Sequence, residues 1–94
     1  MKTEYQNKVI FRIRKLREKL GFSQSKIATI LGLSNGQVGN IETPNQPHKY
    51  TLAQIEILCR KFGVPVESVF YDEDTDTSVI PVGDIIHKII VYQN

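Results

Sequence analysis

One cysteine in 94 residues leaves Cys59 without a partner for an internal disulfide, or for a Cys-x-x-Cys metal or redox pair. A reducing compartment is the expectation. No apolar run approaches the roughly 18 residues that span a bilayer, and the opening Met-Lys-Thr-Glu-Tyr-Gln-Asn-Lys carries no apolar block of the kind that marks a secretory signal. The expected location is the cytoplasm, with no membrane partner. Catalytic signatures are missing too: there is no Gly-rich phosphate loop, no Ser or Cys with an evident base, and no pair of carboxylates in a recognisable cleft pattern. Neither an enzyme nor a cofactor is expected. His48 and His87 have no Cys, Asp or Glu at metal-ligand spacing, and the acidic run Asp72 to Asp76 lacks the glycine and distal glutamate of an EF-hand loop. No metal site is expected either.

The composition that remains is ordinary for a folded domain, 40% hydrophobic and 23% charged. Its length suits one small core. The net charge of +2 hides an asymmetry: residues 1–70 hold eleven Lys/Arg against five Asp/Glu, whereas residues 71–94 hold Lys88 against five acidic side chains. A basic front and an acidic tail favour a polyanion as partner for the front.

Hydrophobic spacing divides the chain into helices. Val9, Ile13, Leu16 and Leu20 recur at steps of four, three and four, and Gly21 is placed to end this first helix. Ser23 offers a cap to a short second helix whose stripe is Ile27, Ala28 and Leu31, ending at Gly32. Ser34 caps a third, with Gln37 completing a Ser-x-x-Gln capping box and Val38 and Ile41 turned inward. Pro44 and Pro47 break the polar loop Glu42 to Tyr50; Thr51 and Gln54 then repeat the capping pattern before Leu52, Ile55, Leu58, Cys59 and Phe62, and a last turn runs from Pro65 to Phe70. Cys59 falls on the buried stripe and reads as a small core residue.

Ala28, Gly32, Val38 and Ile41 have the spacing at which two short helices cross around a tight turn. The run Gln24-Ser-Lys-Ile-Ala-Thr-Ile-Leu-Gly-Leu-Ser-Asn-Gly-Gln-Val-Gly-Asn-Ile-Glu42 resembles the helix-turn-helix of phage repressors and Cro, the XRE family. The likeness extends from about Val9 to Phe70. It implies an all-α, five-helix domain that binds duplex DNA, usually as a dimer on a pseudo-palindromic site, to repress transcription. It also implies base contacts from Asn35, Gly36 and Asn40, a phosphate contact from Gln24, and an ion pair between Arg17 and Glu42.

Helical geometry agrees in part, since inward Ser34, Val38 and Ile41 leave Gly36, Gly39 and Asn40 most outward, flanked by Asn35 and Gln37. Asn40 has the amide for a bidentate contact to adenine, and Gln37 does as well unless the capping box occupies it. Two outward glycines either permit close backbone approach or mean weak readout. Ser34, His48, Lys49 and Tyr50 lie where phosphate contacts are expected, a role that needs only a donor or a positive charge. An alternative function is a protein-interaction module, such as the antitoxin of a toxin-antitoxin pair.

Three parts are therefore expected: a DNA-binding domain over 1–70, an acidic linker over 71–78 and an apolar C-terminal segment over 79–94. In the last, Val82, Ile85, Ile86, Ile89, Ile90 and Tyr92 fall on one arc at the helical step, and strict strand alternation fails. A helix is expected. Its stripe has two destinations, the domain's own core or a second copy of the chain. The homodimer is the favoured one, because residues 9–70 already supply a closed set of five helices.

Overall fold

Six helices and no strand make up the computed structural model, which describes residues 1–94: α1 (Glu4–Lys19), α2 (Gln24–Leu31), α3 (Asn35–Glu42), α4 (Leu52–Phe62), α5 (Glu67–Phe70) and α6 (Val82–Gln93). A single 3-10 turn, Thr77–Val79, precedes α6. The all-α expectation holds, tail included. No helix is long and apolar enough to cross a membrane.

The first four helices each begin on a hydroxyl. Thr3, Ser23, Ser34 and Thr51 accept from the backbone N–H groups of Gln6, Lys26, Gln37 and Gln54 at 3.0–3.2 Å. In three of them a glutamine returns the bond to the cap's own N–H, as Gln6, Gln37 and Gln54 do. Each cap satisfies donors that a helix start leaves orphaned and contributes about 1 kcal/mol. The ends are equally local: after α1, Gly21 adopts φ +77° and the N–H of Phe22 returns to the Arg17 carbonyl at 2.7 Å. Gly32 repeats the turn at φ +69°, with Leu33 donating to Ala28 at 2.9 Å. That turn swings α3 across α2.

Val9, Ile10 and Ile13 of α1, Ile27 and Ala28 of α2, Val38 and Ile41 of α3, Ile55, Leu58 and Cys59 of α4, and Val69 and Phe70 of α5 form the buried core. Leu20, expected on the first stripe, is half exposed, because α1 has ended before it and Ile10 fills the core face instead. Burial raises the Cys59 thiol to about 11, with the charges of Glu56 and Glu67 adding to the effect. It is a packing residue with little thiolate at neutral pH.

The tail joins this same core. Tyr92 is 1% exposed, its ring set edge-on to Phe70 with centroids 6.0 Å apart, and Ile85 and Ile89 pack beside it. The expectation favoured a second copy as the stripe's destination; the domain's own core takes half of it. Val82, Ile86 and Ile90, one ridge further round the helix, stay 74%, 50% and 49% exposed. The apolar arc is wider than the groove between α1 and α5 can cover. The acidic stretch is also held at its start: Arg12 donates to the Val69 carbonyl at 3.0 Å and to Asp72 Oδ1 at 2.6 Å, and the Tyr71 hydroxyl donates to Asp84 on α6.

Candidate nucleic-acid interface

An ion pair at the base of α3 sets its angle to the rest of the domain. Arg17 Nε and Nη2 donate to the two carboxylate oxygens of Glu42 at 2.6 and 2.7 Å, and Arg17 Nη1 also holds the Phe22 carbonyl at 3.0 Å. Gln24 Nε2 adds a third donor to Glu42 at 3.0 Å. Their side chains are 10% and 3% exposed, so this bidentate contact is largely removed from water. Desolvation alone would raise the Glu42 pKa. The hydrogen bonds from Arg17 and Gln24, with the guanidinium charge, outweigh it and leave the carboxyl below its ordinary range. The Arg17–Glu42 contact read from the family resemblance is present as a buried, hydrogen-bonded pair.

Above this anchor α3 turns a polar, uncharged surface outward. Asn35, Gly36, Gln37 and Asn40 are exposed, Gly39 is half-buried, and Val38 and Ile41 face the core. Gln37 resolves toward the cap: its Oε1 accepts from the Ser34 N–H at 2.7 Å, which removes the acceptor half of a bidentate contact and leaves only the amide N–H groups to donate. The Ser34 hydroxyl accepts from Gln37 N at 3.2 Å, at an exposed position. Gln24 lies across from Gly39, where an added Cβ would meet its Oε1 at 3.7 Å, an ordinary contact. A Cβ on Gly36 would likewise meet only Ser34 Oγ, at 3.9 Å. Neither glycine is needed for packing inside the domain, so the smooth outer face of α3 is not a by-product of the fold.

The loop after α3 differs from expectation at two of three positions. His48 is exposed. Tyr50 is fully buried and part of the hydrophobic core, near enough to Arg17 and Glu42 to feel their charges, so its side chain is corrected from phosphate contact to core. Lys49 is half-buried, its ammonium donating to the Tyr92 and Gln93 carbonyls at 3.3 and 2.9 Å and lying 5.5 Å from the Tyr92 ring. It caps the C-terminal end of α6. A phosphate would have to compete for it.

Two residues meet at this loop in roles that the sequence did not give them: Lys2, which no motif singles out, and Tyr92, expected only as part of the apolar stripe of the last helix. Lys2 is 7% exposed and donates to the carbonyls of Ile41, Thr43 and His48 at 2.5, 3.1 and 2.9 Å, with its pKa lowered by desolvation. Tyr92 donates through its hydroxyl to the Tyr50 carbonyl at 2.8 Å. No local pattern announces either partner. The neighbouring Thr3-Glu-Tyr-Gln6, by contrast, carries the Thr-x-x-Gln capping signature that would have placed the start of α1.

A helix-turn-helix family model matches residues 13–69, from the middle of α1 to the end of α5. The chain belongs to the XRE-type helix-turn-helix family. No curated protein and no solved structure matches it. As a helix-turn-helix protein it is a DNA-binding regulator, with α2 and α3 as the two helices of the motif. Lys2 and α6 both lie outside the matched residues.

Proposed function

We propose that this protein is a sequence-specific repressor that lays α3 in the major groove of duplex DNA. The observation that carries the reading is the outward face of α3, polar and without bulk, held rigid from below by the buried Arg17–Glu42 pair. Asn40 is the amide placed for a bidentate contact to adenine, with Asn35 and the donor side of Gln37 at its edge, and Gly36 and Gly39 letting the helix backbone approach the bases. Gln24 and Ser34, at the starts of α2 and α3, hold phosphates where free backbone N–H groups already favour an anion. His48 adds a further phosphate contact from the loop.

The exposed ridge Val82, Ile86 and Ile90 is the surface through which two copies pair, and a two-fold dimer would match half-sites about 34 Å apart. Repression follows from occupancy of such a site. Selecting binders from a random duplex library should return a two-fold related sequence, with affinity for it falling steeply as salt is raised. Recovery of no preferred sequence, or binding insensitive to salt, would remove the reading.

A further inference from the structure

The Lys2 ammonium has three N–H donors, and all three end on main-chain carbonyls. Ile41 and Thr43 belong to the C-terminal end of α3, where carbonyls lack partners inside the helix and a cation is favoured. The third acceptor, His48, lies at the far end of the loop. A helix cap alone would need only the first two. The third bond closes residues 41–48 into a ring around one buried charge, and Pro44 and Pro47 stiffen the ring from within.

Two residues further on, the Tyr92 hydroxyl fixes the Tyr50 carbonyl, and Gln6 Nε2 holds the Tyr92 carbonyl at 2.7 Å. The loop that leaves the recognition helix is therefore gripped from both sides by segments outside the residues the family model matches. What the ring leaves in solvent is the whole run from Thr43 to His48.

We infer that Lys2 and Tyr92 are positioning residues for DNA binding: together they hold the loop between α3 and α4 in the one shape that presents its main chain and His48 to the phosphate backbone. The inference rests on the DNA-reading role proposed above for α3 and adds a second, sequence-independent contact region to it. A loop held in one shape by these bonds before binding does not charge its ordering entropy against association. Neither residue touches DNA. Each acts through loop carbonyls.

The test uses the full chain with Lys2→Met, which keeps an apolar stem and removes the ammonium, and with Tyr92→Phe, which removes one hydroxyl. Two readouts are taken well below each variant's melting temperature: amide hydrogen exchange of residues 45–49, and affinity for both the selected duplex and a random one. Faster exchange in the loop is expected, with both affinities falling in parallel by about five- to tenfold and the preferred sequence unchanged, as befits contacts that position rather than specify. A lower melting temperature with unchanged affinities would overturn the inference and leave Lys2 a structural cap. A loss confined to the selected duplex would also overturn it, by placing the effect on α3. Should Lys2→Met fail to fold, Tyr92→Phe decides by the same criteria. If the unmodified protein binds no duplex at all, the DNA-reading role itself fails, an outcome distinct from any behaviour of the variants.

Discussion

The hydroxyl of Tyr92 donates to the main-chain carbonyl of Tyr50 at 2.8 Å across 42 positions of sequence, both residues being essentially removed from solvent. The last helix is thereby stitched to the segment that follows the recognition helix. Replacing Tyr92 by Ala should cost about 3 to 5 kcal/mol, in the range for deleting a buried aromatic ring. Removing residues 79–94 should leave a domain that melts far lower or does not fold. Denaturant titration checks both; a truncated chain as stable as the whole would show that α6 is dispensable to the core.

Glu42→Gln should lower stability by about 3 kcal/mol, because it leaves the Arg17 guanidinium buried without its counter-charge. A double-mutant cycle with Arg17→Met should show strong coupling. The pH dependence follows from the direction of the shift. A carboxyl lowered on folding contributes stability that is complete above its unfolded pKa, near 4.5, and is lost as pH falls through the lower folded value. Stability of the unmodified chain should therefore drop from about pH 5 downward, and this component should be missing in Glu42→Gln. Identical acid-unfolding profiles would contradict it.

Asn40→Ala should weaken binding to the selected duplex by about 1 to 3 kcal/mol while leaving affinity for random duplex nearly intact, since the amide reads a base and carries no charge. Competition titrations against both duplexes separate the two quantities. Equal losses on both would remove Asn40 from the readout.

Tyr50 presents a different case. Its hydroxyl is buried and has no hydrogen-bond partner, and burial, with the nearby Glu42 charge, pushes its pKa well above the ordinary value. An unsatisfied buried hydroxyl is a cost, so Tyr50→Phe should raise stability by about 1 kcal/mol. The midpoint of urea unfolding would show it. A marked fall would mean that the hydroxyl is satisfied after all.

Charge on the outer ridge of α6 should separate association from folding. Ile86→Glu, at a half-exposed position, is expected to leave the melting temperature within a few degrees and to convert a dimer to a monomer in sedimentation. Full-length protein that is monomeric well above micromolar concentration would defeat the dimer, whatever the variant does.

Helix positions, caps and the helix-turn-helix itself were legible along the chain because each depends on neighbours in sequence. A hydroxyl three residues before a glutamine, a glycine after the last apolar residue, and Ala28, Gly32, Val38 and Ile41 at their fixed spacing all act within one or two turns. The Arg17–Glu42 pair spans 25 positions and was reached through the family resemblance, not through any local rule. Gln37 stood open between cap and base contact because both uses draw on the same amide; only the fold shows the oxygen already spent on Ser34.

What tertiary structure alone decided lies at the two ends of the chain and in the loop they meet. Lys2, Lys49 and Tyr92 read locally as an ordinary surface charge, a phosphate donor and part of an apolar stripe. Their partners lie about 40 positions away, at carbonyls whose need for a donor appears only once the helices have packed. Tyr50 shows the same limit from the other side: a tyrosine in a polar loop faces water by any sequence rule, yet it is fully buried in the core, with its main-chain carbonyl held by the Tyr92 hydroxyl. Periodicity specifies which residues share a face of one helix. Which of two adjacent faces of α6 is covered, and which is left for another molecule, depends on the width of the groove that α1 and α5 leave between them.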